Sequence, residues 1–322
     1  MKEGNKLMNK PLIVIGGPTA SGKTKIGIEL AKSLDGEIIS ADSMQVYRHM
    51  DIGTAKPTPQ EMENIPHHLL NIVNPDEEWN VALFQQKAKK AIEGIYQKKK
   101  IPIIVGGTGF YIQSVIYDIE FKETKKDGDY RNSLEQKAKI EGSGILHQQL
   151  ERIDPISAKN IHPNNVKRII RALEYYQQTG EPISLHNEIE KQKSTPYQLV
   201  FFALTMERTL LYERINKRVD QMIEKGLIAE VNALLKQGYG PQLVSMQGLG
   251  YKEIIEYLLG NCSLEEAIYI LKRDTRHFAK RQLTWFRREK EVNWIHVDQE
   301  QFNYTQIMTK MRNHVEEVGK II

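Results

Sequence analysis

The sequence predicts an α/β fold: a parallel-sheet core, a helical insertion domain and a helix-rich C-terminal part. Three observations carry this reading. Short apolar runs alternate with amphipathic helical patterns through the first third of the chain, as parallel strands joined by crossover helices require. A glycine-rich segment, GPTASGKT at residues 17–24, sits between the first apolar run and the first helical pattern. A core-like run, QLVFFALT at Gln198–Thr205, returns after a long charged block. A helical unit inserted into the sheet domain explains that return.

Taken in order, residues 12–16 are apolar and close on glycine, which suits a strand feeding a turn. Residues 24–34 carry Ile26, Ile28, Leu30 and Leu34, spaced for a packed helix. Residues 37–41 read as a second strand and 68–73 as a third. Over residues 81–99, Leu83, Phe84, Ala88, Ala91, Ile92 and Ile95 fall on one helical face. Ile101–Val105 reads as a strand closed by Gly106-Gly107. Past Phe121 the chain becomes charged and helical, with breaks at Gly142 and Gly144. There Asn165 can cap a helix whose stripe is Val166, Ile169, Ile170, Leu173 and Tyr176. After Gln198–Thr205, helices are expected over 210–237, 251–259 and 263–289. Ser263 and Glu266 in the last have capping-box spacing. Residues 293–297 suit a late strand. The expected division is a core of residues 1–120 and 197–322 around an insertion of 121–196.

Composition narrows the class. The chain has 322 residues, 40% hydrophobic and 27% charged, which excludes low-complexity disorder. A lone Cys262 excludes an internal disulfide and a cysteine-rich zinc site. No run approaches the ~20 apolar residues of a membrane span. The opening MKEGNKLMNK leads into no secretory h-region, so a cytoplasmic protein with no membrane partner is expected. The net charge of +4 is too mild to name a partner.

The glycine-rich segment matches G-x-x-x-x-G-K-[ST] without a gap, so the core reads as P-loop NTPase-like. Across Gly17, Pro18, Thr19, Ala20, Ser21, Gly22, Lys23 and Thr24, backbone N–H groups turn toward phosphate oxygens. The following helix N-terminus adds partial positive charge. Lys23 can reach the outer phosphate, and the Thr24 hydroxyl can hold Mg²⁺. The motif specifies a diphosphate, with or without a nucleoside. Nucleotide binding, ATP included, therefore stays open. Ile101–Val105 ends in Gly-Gly-Thr, where many nucleotide-hydrolysing enzymes place a metal-binding aspartate. The acid follows the second strand instead, in Asp42-Ser43-Met44-Gln45. At a parallel strand's carboxyl end it points into the ligand crevice. Asp42 is thus a candidate base, a metal partner or a loop cap. Thr108, in GGTG, sits at another strand end near the same crevice and can also cap a helix.

Together, GPTASGKT, ISADSMQVYR, IPHHLL, IVGGTGFYIQ, VKRIIRALE, LLYERINKRVDQMIEKGLIAEV, GLGYKEI and AKRQLTWFRR closely resemble the bacterial tRNA dimethylallyltransferases, the tRNA isopentenyltransferase family. The likeness covers nearly the whole chain in the family's order. It implies transfer of a dimethylallyl group from dimethylallyl diphosphate to the exocyclic N6 amine of the adenosine just 3′ of the tRNA anticodon. It implies Asp42 as general base, Thr108 beside the reacting groups and Arg218 on the diphosphate. Asp42, Ser43, Met44, Gln45 and Thr108 become contacts of the target nucleotide. Arg131, in DYRN, becomes a tRNA contact, as do Lys280 and Arg281 in AKRQLTWFRR. Mg²⁺ is the implied cofactor, held by Thr24. The anticodon stem-loop is the partner, and a monomer is expected.

The chemistry agrees independently. An adenine amine is a poor nucleophile, so its alkylation needs a base and a good electrophile. An allylic diphosphate ionises readily where its departing charge is stabilised. The base must also leave its stack to be reached. Arg171 follows Lys167 by four residues and Arg168 by three, all off their helix's apolar stripe. Residues 272–290 hold eight basic and two acidic residues, with Phe278, Trp285 and Phe286 among them. Phosphate contact is one reading of each strip; a solvated helix face, with the aromatics in the core, is the other. Arg218 lies four residues after Arg214, so a surface ion pair competes for it. His67-His68 suits packing or a turn. A kinase using ATP and an NTPase acting as an RNA-binding switch remain the competing functions.

Overall fold

The computed structural model describes residues 10–121 and 128–318. Their strands are β1 (Pro11–Gly16), β2 (Gly36–Ser40), β3 (His67–His68), β4 (Ile101–Val105), β5 (Gln198–Thr205) and β6 (Val292–His296). All pair in parallel, in the order β3-β2-β4-β1-β5-β6. The chain runs outward from β1 to one edge, returns in β4, and continues from β5 on the other side of β1. The carboxyl ends of β1 and β4 therefore flank the point where strand order reverses, the place where open sheets bind ligands.

Helices cover the sheet. α1 (Lys23–Ser33), α2 (Pro59–Met62), α3 (Val81–Gln97) and α4 (Gly109–Ile116) precede the insertion. α5 (Gly128–Glu141), α6 (Ser143–Ile153), α7 (Pro155–Asn160), α8 (Val166–Thr179) and α9 (Ile183–Lys191) form it. α10 (Arg208–Glu224), α11 (Leu227–Lys236), α12 (Tyr251–Leu258), α13 (Leu264–Phe286) and α14 (Tyr304–Val318) follow β5. One core joins Ile13 and Ile15 of β1 to Leu30 of α1, Phe202 and Leu204 of β5 and Met311 of α14, all fully or nearly fully buried. Each such side chain contributes about 1.5–3 kcal/mol. Strands buried on both faces explain their unbroken apolar runs.

The chain divides into two compact units, one of residues up to 116 and from 195 onward, the other of 117–194. The second has its own core of Leu134, Leu146, Leu150, Ile169, Ile170 and Leu173. Its buried Asp154 accepts the Ser157 N–H at 2.9 Å and the Ser184 N–H at 3.0 Å, so one carboxylate caps α7 and reaches the start of α9.

Three local expectations change, and the cap at Ser263 holds. The third strand is His67–His68, not 68–73, because Leu69 and Asn71 take left-handed φ of 65° and 54°. Val73 returns only as an isolated bridge to Tyr47. The helix over 210–237 is two helices, broken at Gly226 with φ 100°. Asn165 stands at the start of α8 without a side-chain capping bond. Ser263 caps α13 by accepting the Glu266 N–H at 3.2 Å.

Candidate active site

Three loops meet at the carboxyl ends of β1, β2 and β4: residues 17–24, 41–45 and 106–109. Thr19, Lys23, Thr24, Asp42, Gln45 and Gly106 line one crevice there, closed by Arg218 from α10 and by Phe278 and Gln282 from α13.

The phosphate loop is bent where its sequence allows. Gly17, Ala20 and Gly22 have φ of 141°, 63° and 94°. Ala20 is the costly one, since a Cβ in this region strains the backbone by about 1–2 kcal/mol. The Lys23 Nζ donates to the Pro18 carbonyl at 2.6 Å, and Arg214 Nε donates to the Ala20 carbonyl at 2.9 Å. Arg218 Nη1 approaches Thr19 Oγ1 at 3.5 Å. Ser21 Oγ is buried without a hydrogen-bond partner among the described residues. Burial pulls the Lys23 ammonium down to about 7; the neighbouring Arg218 adds to this and Asp42 opposes it. Burial likewise lowers Arg218, again against Asp42. Among the described residues lining the crevice, Lys23 and Arg218 meet one carboxylate, Asp42, which is an arrangement suited to a polyanion.

Asp42 is both a cap and a crevice group. Its Oδ1 accepts the Met44 N–H at 2.9 Å and the Gln45 N–H at 3.3 Å. That shapes the turn and leaves Oδ2 without a hydrogen bond among the described residues. Thr108 Oγ1 accepts the Ser43 N–H at 3.1 Å and ties the two loops together. The Gln45 amide is committed within the protein: Oε1 accepts from Ser40 Oγ at 3.1 Å, and Nε2 donates to the Thr54 and Ala55 carbonyls at 3.2 and 3.3 Å. The Met44 methyl packs so close to Gly248 that a Cβ there would lie 2.4 Å from it.

Sequence reasoning missed the groups that hold these loops. Glu230 on α11 accepts the N–H groups of Asp51, Ile52 and Gly53 at 2.7–3.0 Å and the Tyr251 hydroxyl at 2.7 Å. Buried Lys56 donates to the Tyr47 carbonyl, Asp51 and Asn71 at 2.6–2.7 Å. Gln282 bonds the Thr19 N–H at 2.9 Å and the Gly107 carbonyl at 3.0 Å. A Cβ on Gly107 would lie 2.1 Å from Gln282, and one on Gly109 2.1 Å from the Trp285 ring. The only sequence signal was the joint presence of GGTG and QLTWF; their contact explains why the two go together.

The basic residues separate into two groups. Lys272 pairs with Asp220, Arg273 with Asp274, and Arg276 with Asn216. Lys280 and Arg281 are exposed, and Arg281 lies over the Phe278 ring, with 5.8 Å to its centroid. In the helical unit, Lys167, Arg168 and Arg171 are exposed along α8 while Ile169, Ile170 and Leu173 are buried. Arg131 is held in a two-pronged pair by the buried Glu174 carboxylate at 2.7 and 2.8 Å. That pairing raises its pKa further.

The chain is similar to known proteins over most of its length. Residues 45–289 match the family model described as IPP transferase, and 10–73 match that of isopentenyl transferase. The tRNA dimethylallyltransferase of Lachnoclostridium phytofermentans is 60% identical over 286 residues, covering 89% of this chain and 91% of that protein. That of Carboxydothermus hydrogenoformans is 57% identical over 288 residues, covering 89% and 92%. The solved full-length tRNA isopentenylpyrophosphate transferase of Bacillus halodurans matches with a TM-score of 0.72 at 46% identity, covering 97% of this chain and 99% of that one. A eukaryotic dimethylallyltransferase solved acting on tRNA matches with a TM-score of 0.71 at 33% identity, covering 86% and 70%.

Proposed function

This chain belongs to the IPP transferase family, the tRNA dimethylallyltransferases, and from that premise we propose how its crevice works. It is a prenyltransferase that modifies tRNA. The dimethylallyl group passes to the N6 amine of the adenosine 3′-adjacent to the anticodon, and diphosphate leaves. The donor is dimethylallyl diphosphate. The observation that carries this reading is one crevice lined by a phosphate loop, the half-buried Lys23 and Arg218, and Asp42.

The donor's diphosphate lies against residues 17–24, with Lys23 and Arg218 on its oxygens. These charges matter most as the carbon–oxygen bond breaks, when negative charge builds on the departing group. The adenosine leaves its stack and enters beside Ser43 and Thr108. Its nitrogen forms the new bond to the allylic carbon, the diphosphate departs with the bonding electrons, and the N6 proton passes to Asp42 Oδ2. Gln45, which lines the crevice, and Met44 also hold this loop through the bonds and packing described above.

Among the described residues no three His, Cys, Asp or Glu side chains gather as a metal site. A diphosphate-bound Mg²⁺ needs less, one or two protein oxygens with phosphate and water completing its shell. The Thr24 hydroxyl, on the loop that lines the crevice, fits as one such oxygen. When bound there, Mg²⁺ would neutralise diphosphate charge.

Lys167, Arg168, Arg171, Lys280 and Arg281 contact tRNA phosphates, and Arg131 orders the helical unit for that contact through Glu174. No described helix is long and apolar enough to cross a membrane. We place the enzyme in the cytoplasm with its tRNA, acting as a monomer. The test is a labelling experiment. Protein and bulk tRNA receive labelled dimethylallyl diphosphate, or ATP labelled in its γ-phosphate. Label from the first should appear on the adenosine next to the anticodon. Consumption of the second alone would replace this reading with a kinase or NTPase.

A further inference from the structure

Gln282 lies on α13, one residue past the exposed Lys280-Arg281 pair, yet it is only 7% exposed. Its amide makes two bonds of opposite sense. Oε1 accepts the N–H of Thr19 in the phosphate loop at 2.9 Å, and Nε2 donates to the carbonyl of Gly107 in the turn after β4 at 3.0 Å. A donor faces one end and an acceptor the other, so the amide orientation is determined by its partners. A carboxylate offers acceptors alone, and a thioether offers neither strong bond. The amide lies close against Gly107: a Cβ there would lie 2.1 Å from the Gln282 Nε2 and would have to push the amide aside.

The consequences run into the crevice. Thr19 precedes Ala20, whose left-handed backbone at φ 63° needs an external hold. Thr19 also offers its hydroxyl to Arg218. Gly107 is joined through Gln282 to Thr19, and Thr19 to Arg218.

We propose that Gln282 is a positioning residue for the reaction: by bridging the Thr19 N–H to the Gly107 carbonyl it sets the shape of the phosphate loop and the place of Arg218, and so the affinity for the diphosphate. This rests on the reading of the crevice as a diphosphate site. It assigns to a helix with an RNA-contacting face a second, inward duty toward the other substrate.

The test compares the parent with Gln282→Met, which keeps the bulk, and Gln282→Glu, which keeps the acceptor and loses the donor. Inorganic diphosphate binding is measured by calorimetry, KM for dimethylallyl diphosphate and kcat by transfer, and tRNA affinity by filter binding. In both variants the diphosphate Kd and KM should rise about tenfold, as losing a buried hydrogen bond implies. tRNA affinity should stay within about twofold of the parent. Folded variants with parental diphosphate affinity, or a loss confined to tRNA affinity, would overturn the proposal. Should neither variant fold, amide exchange in the parent decides. Thr19 N–H should be protected before any diphosphate is added, and rapid exchange there would equally overturn it. A parent that binds no diphosphate refutes the underlying reading, and this proposal with it. A parent that binds, with variants that bind equally well, refutes this proposal alone.

Discussion

The two units hold their functional groups in opposite ways. In the core, the groups come from loops far apart in sequence, and each is fixed by a specific bond. Thr108 holds Ser43, Gln282 holds Thr19, and Glu230 gathers the N–H groups of residues 51–53. In the helical unit, Lys167, Arg168 and Arg171 lie within little more than one turn of α8 and point to solvent. The helix sets all three on one exposed face while its apolar stripe is buried. The contrast separates two demands. Transition-state stabilisation depends on placement to a fraction of an ångström, whereas phosphate attraction depends mainly on the number of charges. The core should therefore fail by geometry and the helical unit by charge.

The largest expected effect breaks the core side of that contrast. Asp42→Asn retains the shape of the turn, because an amide oxygen can still accept from Met44 and Gln45, but it removes the carboxylate. The chemical step should slow by about 10²–10⁴-fold, as loss of a general base does. Affinity for either substrate should change much less. Added Mg²⁺ restoring the rate would reassign Asp42 as a metal partner.

The next effect sharpens the other side. Replacing Lys167, Arg168 and Arg171 together by alanine should weaken tRNA binding and flatten its salt dependence. Each lost phosphate contact should reduce the slope of log K against log salt by about one or less. Dimethylallyl diphosphate affinity should hold. An unchanged slope would make the strip a solvated face.

The sheet core was legible because buried parallel strands have unbroken apolar runs, and because the glycine and lysine spacing of a phosphate loop rarely arises in any other strand-to-helix turn. The third strand was overread because left-handed backbone at Leu69 and Asn71 has no periodic signature. Arg131 carried a clear charge but not its partner, since Glu174 lies 43 residues away and meets it only in the folded unit. Gln45 was read as a contact of the target nucleotide from its place in DSMQ; its bonds to Ser40, Thr54 and Ala55 were not legible there. Gln282 was unreadable for the same reason as Glu230. A polar side chain that holds a distant backbone leaves no local pattern.

The smallest effect concerns how the helical unit is held. Burial pushes the Asp154 carboxyl up, but hydrogen bonds from Ser157 and Ser184 outweigh it and hold it below the ordinary carboxylate range. Its stabilisation is therefore present above the unfolded carboxylate pKa, near 3.9, and fades as pH falls through the depressed folded value. Asp154→Asn should destabilise α7 and α9 by about 1–2 kcal/mol and remove that acid-dependent component. Hydrogen exchange across both helices as a function of pH measures it. Parental protection in the variant would show that the apolar core alone holds these helices.

The central claim is that the core sets the rate and the basic strip sets tRNA affinity. One measurement addresses it directly: single-turnover transfer at saturating dimethylallyl diphosphate, followed against tRNA concentration for the parent, Asp42→Asn and the triple variant of α8. Asp42→Asn should lower the plateau by about 10²-fold or more with half-saturation little changed. The triple variant should reach the parental plateau at higher tRNA concentration. A parental plateau for Asp42→Asn, or a lowered plateau for the triple variant with unchanged half-saturation, would contradict the account.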